Sequence, residues 1–268
     1  MSGLTYLSLG AGVQSTALLA MSALGLYNCP RADVAIFADT QDEPQWVYEH
    51  LSELEVWSPI PIRRVTYGCL SDDIRRGRRK TRKGVSAIPA YTIDYKHKGS
   101  LEVTSEGHLR RHCSTDYKLT PIAQEARRLI GRKRGARATA LIGISIDEAH
   151  RMKDAAHGWM TNRYPLVEAR ITREECEAIA SSVGLPVPKK SACIFCPYHS
   201  NAYWRMLRNE EPDSWERAVE FDRFVRRGLP GVTGTAFLHS DRLPLYLVDL
   251  NRDQAEMFGN ECEGMCGV

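Results

Sequence analysis

Short apolar runs alternate with amphipathic stretches along the first two-thirds of the chain. Leu4 to Leu9 reads as a buried strand, and the spacing that follows predicts a helix over 13–25 with Gly25 near its end. Ala32 to Ala38 predicts a second strand that runs into Asp39-Thr40. Gln45 to Trp57 has helical spacing, and Ile62 to Tyr67 reads as a third strand. A helix over Pro121 to Ile130 and a strand over Ala138 to Ile144 continue the alternation. Thr172 with Glu175 forms a capping box for a helix to Ser182, stopped by Gly184 and Pro186. Strands rich in apolar and β-branched residues, alternating with helices, predict an α/β fold: a doubly wound, mostly parallel sheet covered on both faces.

Two stretches break this rhythm. From Leu70 to Arg111 no period is visible and Gly, Arg and Lys are frequent, which predicts a long basic insertion without regular structure. Beyond Trp204 to Val225, read as mostly helical, the pattern is irregular, with a strand expected at Leu245 to Leu250. The expected division is an α/β domain over residues 1–185 and a cysteine-containing region over 186–268 packed on it.

Charge adds little in total and more in distribution. The net charge of +3 over 268 residues is too small to argue for nucleic acid. Basic residues nevertheless gather at Arg75 to Lys83, at Arg110-Arg111 and at Arg127 to Arg137, where phosphates of tRNA or DNA would find partners. No run approaches the length of a membrane span and the N-terminus lacks a signal-peptide pattern, so a cytoplasmic protein without a membrane partner is expected. Eight cysteines in such a chain point to metal or redox chemistry rather than disulfides.

Polar sequences stand at three successive strand ends, where open α/β sheets bind ligands. The first, Ser8-Leu9-Gly10-Ala11-Gly12-Val13-Gln14-Ser15-Thr16, joins a strand to a helix through a glycine turn, and its amides would cradle a phosphate. It lacks the lysine of a GxxxxGK[ST] loop and the third glycine of GxGxxG. The second is Asp39 to Glu43, behind Phe37 and Ala38; the third runs from Gly143 to Arg151. With Arg111-His112-Cys113-Ser114-Thr115-Asp116-Tyr117-Lys118-Leu119-Thr120-Pro121, these landmarks resemble the phosphoadenylyl-sulfate reductase-like branch of the PP-loop group, which includes DNA phosphorothioation proteins and tRNA thiolases. Departures are Ser145 for a frequent Arg, Ala149 for a frequent Ser, and Leu9 and Ala11 in place of a Ser-Gly-Gly start.

The resemblance implies cleavage of ATP between its α and β phosphates with Mg²⁺. It implies ATP contacts at Ser8, Gly10, Ala11, Gly12, Val13, Gln14, Ser15, Thr16, Phe37, Ala38, Gly143, Ser145, Asp147, Glu148 and Arg151, with Asp39 as a catalytic group.

Cys193-Ile194-Phe195-Cys196-Pro197 places two thiolates at a metal-binding spacing. Cys113 lies in the Arg111–Pro121 element, and Cys262 and Cys266 close the chain. Zinc, with His112 or His199 completing a mixed site, and iron–sulfur are both open on spacing alone. The resemblance favours a 4Fe-4S cluster on Cys113, Cys193 and Cys196, with Cys262 or Cys266 as fourth ligand, because Ser114 replaces one member of the family's Cys-Cys pair. A three-ligand cluster with an open iron is the competing arrangement. Cys29, Cys69 and Cys176 are read as packing, as are Trp204, Trp215, Phe221 and Phe224.

Three functions are compatible with this reading. The first is an adenylating, pyrophosphate-releasing sulfurtransferase acting on a nucleotide or nucleic acid, fed by a cysteine desulfurase or other sulfur donor. The second is a phosphoadenylyl- or adenylyl-sulfate reductase, with Cys262 or Cys266 attacking sulfur and thioredoxin resolving the product. The third is a non-catalytic nucleotide- and metal-binding module.

Overall fold

The computed structural model describes residues 3–77, 88–97, 100, 102–131, 134–229 and 232–252. The chain follows β1 (Leu4–Leu9), α1 (Val13–Leu24), β2 (Val34–Asp39), α2 (Gln45–Trp57), β3 (Ile62–Thr66) and α3 (Leu70–Arg75). A hairpin of β4 (Ala90–Tyr95) and β5 (Val103–Leu109) precedes α4 (Thr120–Ile130), β6 (Ala138–Ile142) and β7 (Met160–Arg163). Then come α5 (Pro165–Glu168), α6 (Arg173–Ser182), α7 (Asn201–Glu210), α8 (Pro212–Arg226) and β8 (Thr235–Phe237).

Five strands form a parallel sheet in the order β3-β2-β1-β6-β7. The expected doubly wound α/β fold is therefore present. Strand order reverses between β1 and β6, so the loops leaving those strands diverge and open a crevice at the sheet's carboxyl edge.

Side-chain alternation feeds two apolar layers. Ala35 and Phe37 of β2 join the layer of α1, α2, α6, α7 and α8, while Val34, Ile36 and Ala38 face the layer under α4. Both faces are dry, which is why these strands read as unbroken apolar runs. Helix α1 is buried from Val13 to Ala23 and stops at Gly25, whose φ of 69° suits a residue without a Cβ.

Three expectations need correction. Residues 70–111 hold α3 and the hairpin, and β4 pairs on its other side with β8 to make a second, antiparallel sheet. Strand β5 is mostly exposed and its side chains are largely polar or small, so no alternation marks it in the sequence. The helix expected over 204–225 is two, broken where Pro212 cannot continue the hydrogen-bond ladder. Leu245–Leu247 is a 3₁₀ turn rather than a strand.

Candidate active site at the carboxyl edge

The glycine turn is built by its own backbone. Ala11 sits at φ 54°, in the left-handed region, and Gly12 caps α1. Strain of this kind persists only where neighbours enforce it, and it recurs at Gln41 (φ 61°), just past the carboxyl end of β2. The Ser15 hydroxyl donates to the Gly12 carbonyl (3.0 Å) and accepts from the Gly12 amide (3.2 Å). Thr16 is also committed, its Oγ1 lying 2.9 Å from Nε2 of buried His50. These two hydroxyls hold the turn together, so an anion here meets chiefly the backbone N–H groups of a helix start.

The loop after β6 is tied to the same turn. Gln14 donates to Ser145 Oγ at 3.1 Å and to Glu148 Oε2 at 2.9 Å, and it accepts from Arg173 at 3.4 Å. Arg151 pairs with Glu148 at 3.0 Å, and Asp147 accepts the Arg173 amide at 3.2 Å. Gly143 makes the approach possible: a Cβ there would lie 3.1 Å from the Ser15 nitrogen and 3.2 Å from the Gln14 carbonyl. Both neighbours are backbone atoms that cannot swing aside. Gly143→Ala is expected to shift the first turn of α1, lowering the melting temperature and weakening nucleotide binding together; thermal melts with and without ATP measure both.

At the end of β2, Phe37 and Ala38 are buried on opposite faces. Asp39 accepts the Gln41 amide (2.7 Å) and the Tyr48 hydroxyl (2.9 Å). Burial, with the Asp39 charge adding, raises the Tyr48 hydroxyl well above its ordinary value, so it stays a donor.

Beside Thr40 lies a small cavity walled by Cys113, Ser114, Lys118, Cys193, Cys196 and Leu70, among others. The three thiols assigned to a metal from the sequence thus share one cavity. Thr40 Oγ1 is 3.2 Å from Cys193 Sγ, and that thiol is 3.7 Å from Glu43 Oε1. Lys118 pairs with Glu43 at 3.0 Å, with side chains 12% and 0% exposed. Burial holds the Cys193 thiol well above its ordinary pKa, and the Glu43 charge adds to this. Ser114 Oγ and Glu43 Oε2 are buried without a hydrogen-bond partner among the described residues.

The donors fit a soft metal centre in kind. Their spacing is another matter: the cavity offers about 20 Å³, room for one water. Among the described residues no three Cys, His, Asp or Glu side chains are gathered to hold an ion. Cys262 and Cys266 lie outside the described residues. His199 does not line the cavity; its ring stacks on Tyr203 at 3.7 Å and its Nε2 lies 2.8 Å from the Cys193 carbonyl.

The glycine turn and the thiol cavity are directly joined. Ser191, two residues before Cys193, donates to the Gly10 carbonyl at 2.6 Å. On the adjoining side Ser8 is half-buried at the mouth of a large groove under α4.

No family model matches the chain, and no curated protein does. Among solved structures, the phosphoadenylyl-sulfate (PAPS) reductase from Candida auris, in a phosphate complex, is similar to 69% of this chain over 75% of its own. The identity is 12% and the TM-score 0.42.

Several members of this edge carry no separate mark in the sequence. Arg173, Ser191 and His50 matter only through the fold, which brings them from α6, the CxxC approach and α2 to one crevice. Lys118, Thr40 and Glu43 stood within the landmarks, and the pattern alone gave them no role. Cys29 and Cys176 are buried, with thiols pushed up to about 12 by burial, which accords with packing. Trp204 and Phe221 are likewise core.

Proposed function

We propose that the chain binds ATP at the carboxyl edge and uses it to activate an acceptor for sulfur transfer. The observation that carries this reading is the Ser191–Gly10 hydrogen bond, which fastens the thiol element to the anion turn. A nucleotide on that turn and sulfur held at the cavity would then be neighbours.

In this reading the triphosphate lies on the amides of Gly10 to Thr16, the adenine rests against the Phe37–Ala38 backbone, and Asp39 faces Mg²⁺. An acceptor oxygen attacks the α-phosphorus; the bond to the β-phosphate oxygen breaks and pyrophosphate leaves. The persulfide of a desulfurase-type donor, reduced to hydrosulfide by an external thiol pair that becomes a disulfide, supplies the sulfur that then attacks the activated carbon, and AMP departs with the original oxygen. Positioning and charge neutralisation supply most of the rate in such displacements. Gln14, Ser145, Glu148 and Arg151 fix the loop beside the α-phosphate rather than taking part covalently.

A 4Fe-4S cluster, when bound, would supply an iron site able to carry sulfide. Cys113, Cys193 and Cys196 would hold it, with Cys262 or Cys266 as fourth ligand. Because the Cys193 thiol is held protonated, loading must release a proton from it.

The test is an anaerobic preparation assayed for iron, acid-labile sulfide and pyrophosphate release from ATP with tRNA or DNA present. Cluster signals and stimulated pyrophosphate release are expected. Zinc without sulfide would overturn the cluster, and sulfite formation with thioredoxin without ATP turnover would establish the reductase instead.

A further inference from the structure

The peptide joining Gly10 to Ala11 has two possible settings. Turning it over exchanges the directions of the Gly10 carbonyl and the Ala11 amide and moves the Ala11 φ by about 180°. The present setting holds Ala11 at φ 54°, whereas the reversed one would place it in the broad extended region that suits alanine. On local grounds the observed setting is the worse one, by roughly tenfold in population, so something must hold it. Gly10 has no Cβ and accepts either orientation. Beyond Ala11 the next peptide is already fixed, since the Gly12 amide donates to the Ser15 hydroxyl. For the Gly10 carbonyl, the hydrogen-bond partner among the described residues is Ser191, fully buried and 2.6 Å away.

Ser191 serves as a fixed point because its strap is fastened residue by residue. Trp46 Nε1 donates to the Lys190 carbonyl (3.3 Å), and the Tyr203 hydroxyl donates to the Ala192 carbonyl (3.3 Å). His199 Nε2 lies 2.8 Å from the Cys193 carbonyl, and the Ile194 amide donates to the Asp42 carbonyl (2.8 Å). A Gly10 carbonyl pinned to this strap turns the Ala11 N–H the other way, because the two groups of a trans peptide point apart. That N–H has no hydrogen-bond partner among the described residues, although Ala11 is buried. Such an amide is rare in a folded chain and marks a place for an acceptor.

We infer that Ser191 is a positioning residue that locks the Gly10–Ala11 peptide in its anion-binding orientation. With the lock removed the peptide turns over, and a carbonyl oxygen takes the place of the donor that a phosphate would meet. Strain at Ala11 is thus held by a contact from outside the turn, as strained backbone at working sites generally is. The strap that carries Cys193 therefore also arms the turn: the phosphates find their full set of donors only while the thiol element is seated. The inference rests on the proposed use of this turn for the phosphates of ATP.

Calorimetry with inorganic pyrophosphate and with ATP on the full chain tests this, using Ser191→Ala, Ala11→Gly and the double variant. Ser191→Ala is expected to weaken pyrophosphate binding about tenfold, the bias of alanine against the left-handed setting. Glycine carries no such bias. Ala11→Gly should therefore restore most of the loss in the Ser191→Ala background and gain far less where Ser191 is present. In protein carrying isotope-labelled alanine, the amide signal that Ala11→Gly removes should shift on adding pyrophosphate to the wild type and stay in place in Ser191→Ala. Equal pyrophosphate affinity in Ser191→Ala overturns the lock. So does a loss that Ala11→Gly fails to restore, which is how a plain structural brace behaves. Ser191-dependent binding of both probes, without pyrophosphate release from ATP when tRNA or DNA is present, overturns the proposed function and leaves the lock standing. Binding of neither probe by the wild type overturns both.

Discussion

Acidification from pH 7.5 to 5.5 is expected to lower the melting temperature markedly. Burial depresses the pKa of His199 well below its ordinary value, and those of His50 and His239 also fall. His199 stacks on Tyr203, His50 bonds Thr16, and His239 Nε2 lies 2.8 Å from Asn201. Each favours the neutral ring in the fold, whereas the unfolded chain takes up a proton near pH 6.5. Stability from these rings is therefore complete above that value and is lost as pH falls below it. At pH 5.5 a fully refused proton costs about 1.4 kcal/mol, so the three rings cost between that and about 4 kcal/mol. Differential scanning calorimetry across this range checks it. A flat profile would mean that the rings are protonated in place.

Removing Lys118 should be the most damaging single change near the thiol cavity. Its partner Glu43 is fully buried, and one of that carboxylate's oxygens already lacks a hydrogen bond among the described residues. Lys118→Ala strands a charge in a dry site, a loss of about 3–5 kcal/mol for a broken buried pair. The double variant Lys118→Met/Glu43→Gln removes both charges and should recover most of it. Urea unfolding of both variants decides the matter. A loss under about 1 kcal/mol for Lys118→Ala would show that water reaches the carboxylate.

How much of this was legible beforehand differs by element. Strands β1, β2 and β6 announced themselves because their faces are largely dry, β3 through its place in the alternation although Arg63 and Arg64 are exposed, and α6 because Thr172 and Glu175 cap it reciprocally. Strand β7, Met160–Arg163, escaped because only one of its four residues is apolar and none is fully buried. The hairpin escaped because its β5 strand is exposed. At the site, the glycine turn and the cysteines were visible as motifs, and the structure brings Cys113, Cys193 and Cys196 to one wall. What the turn's hydroxyls do was not legible: Ser15 and Thr16 look like phosphate ligands in sequence, yet their bonds go to Gly12 and His50. Partners distant along the chain leave no local pattern.

The wide π-helical turn Ser114–Leu119, which runs straight into α4, has a mechanical consequence. A wide turn winds through a smaller angle per residue, so it takes up one surplus residue over nearly the same arc. Excising a single residue would restore regular winding and leave Cys113 facing nearly the same way relative to α4. The bulge thus absorbs length without turning the sulfur away from Thr120 to Ile130, and the segment tolerates a change of one residue better than a regular helix would.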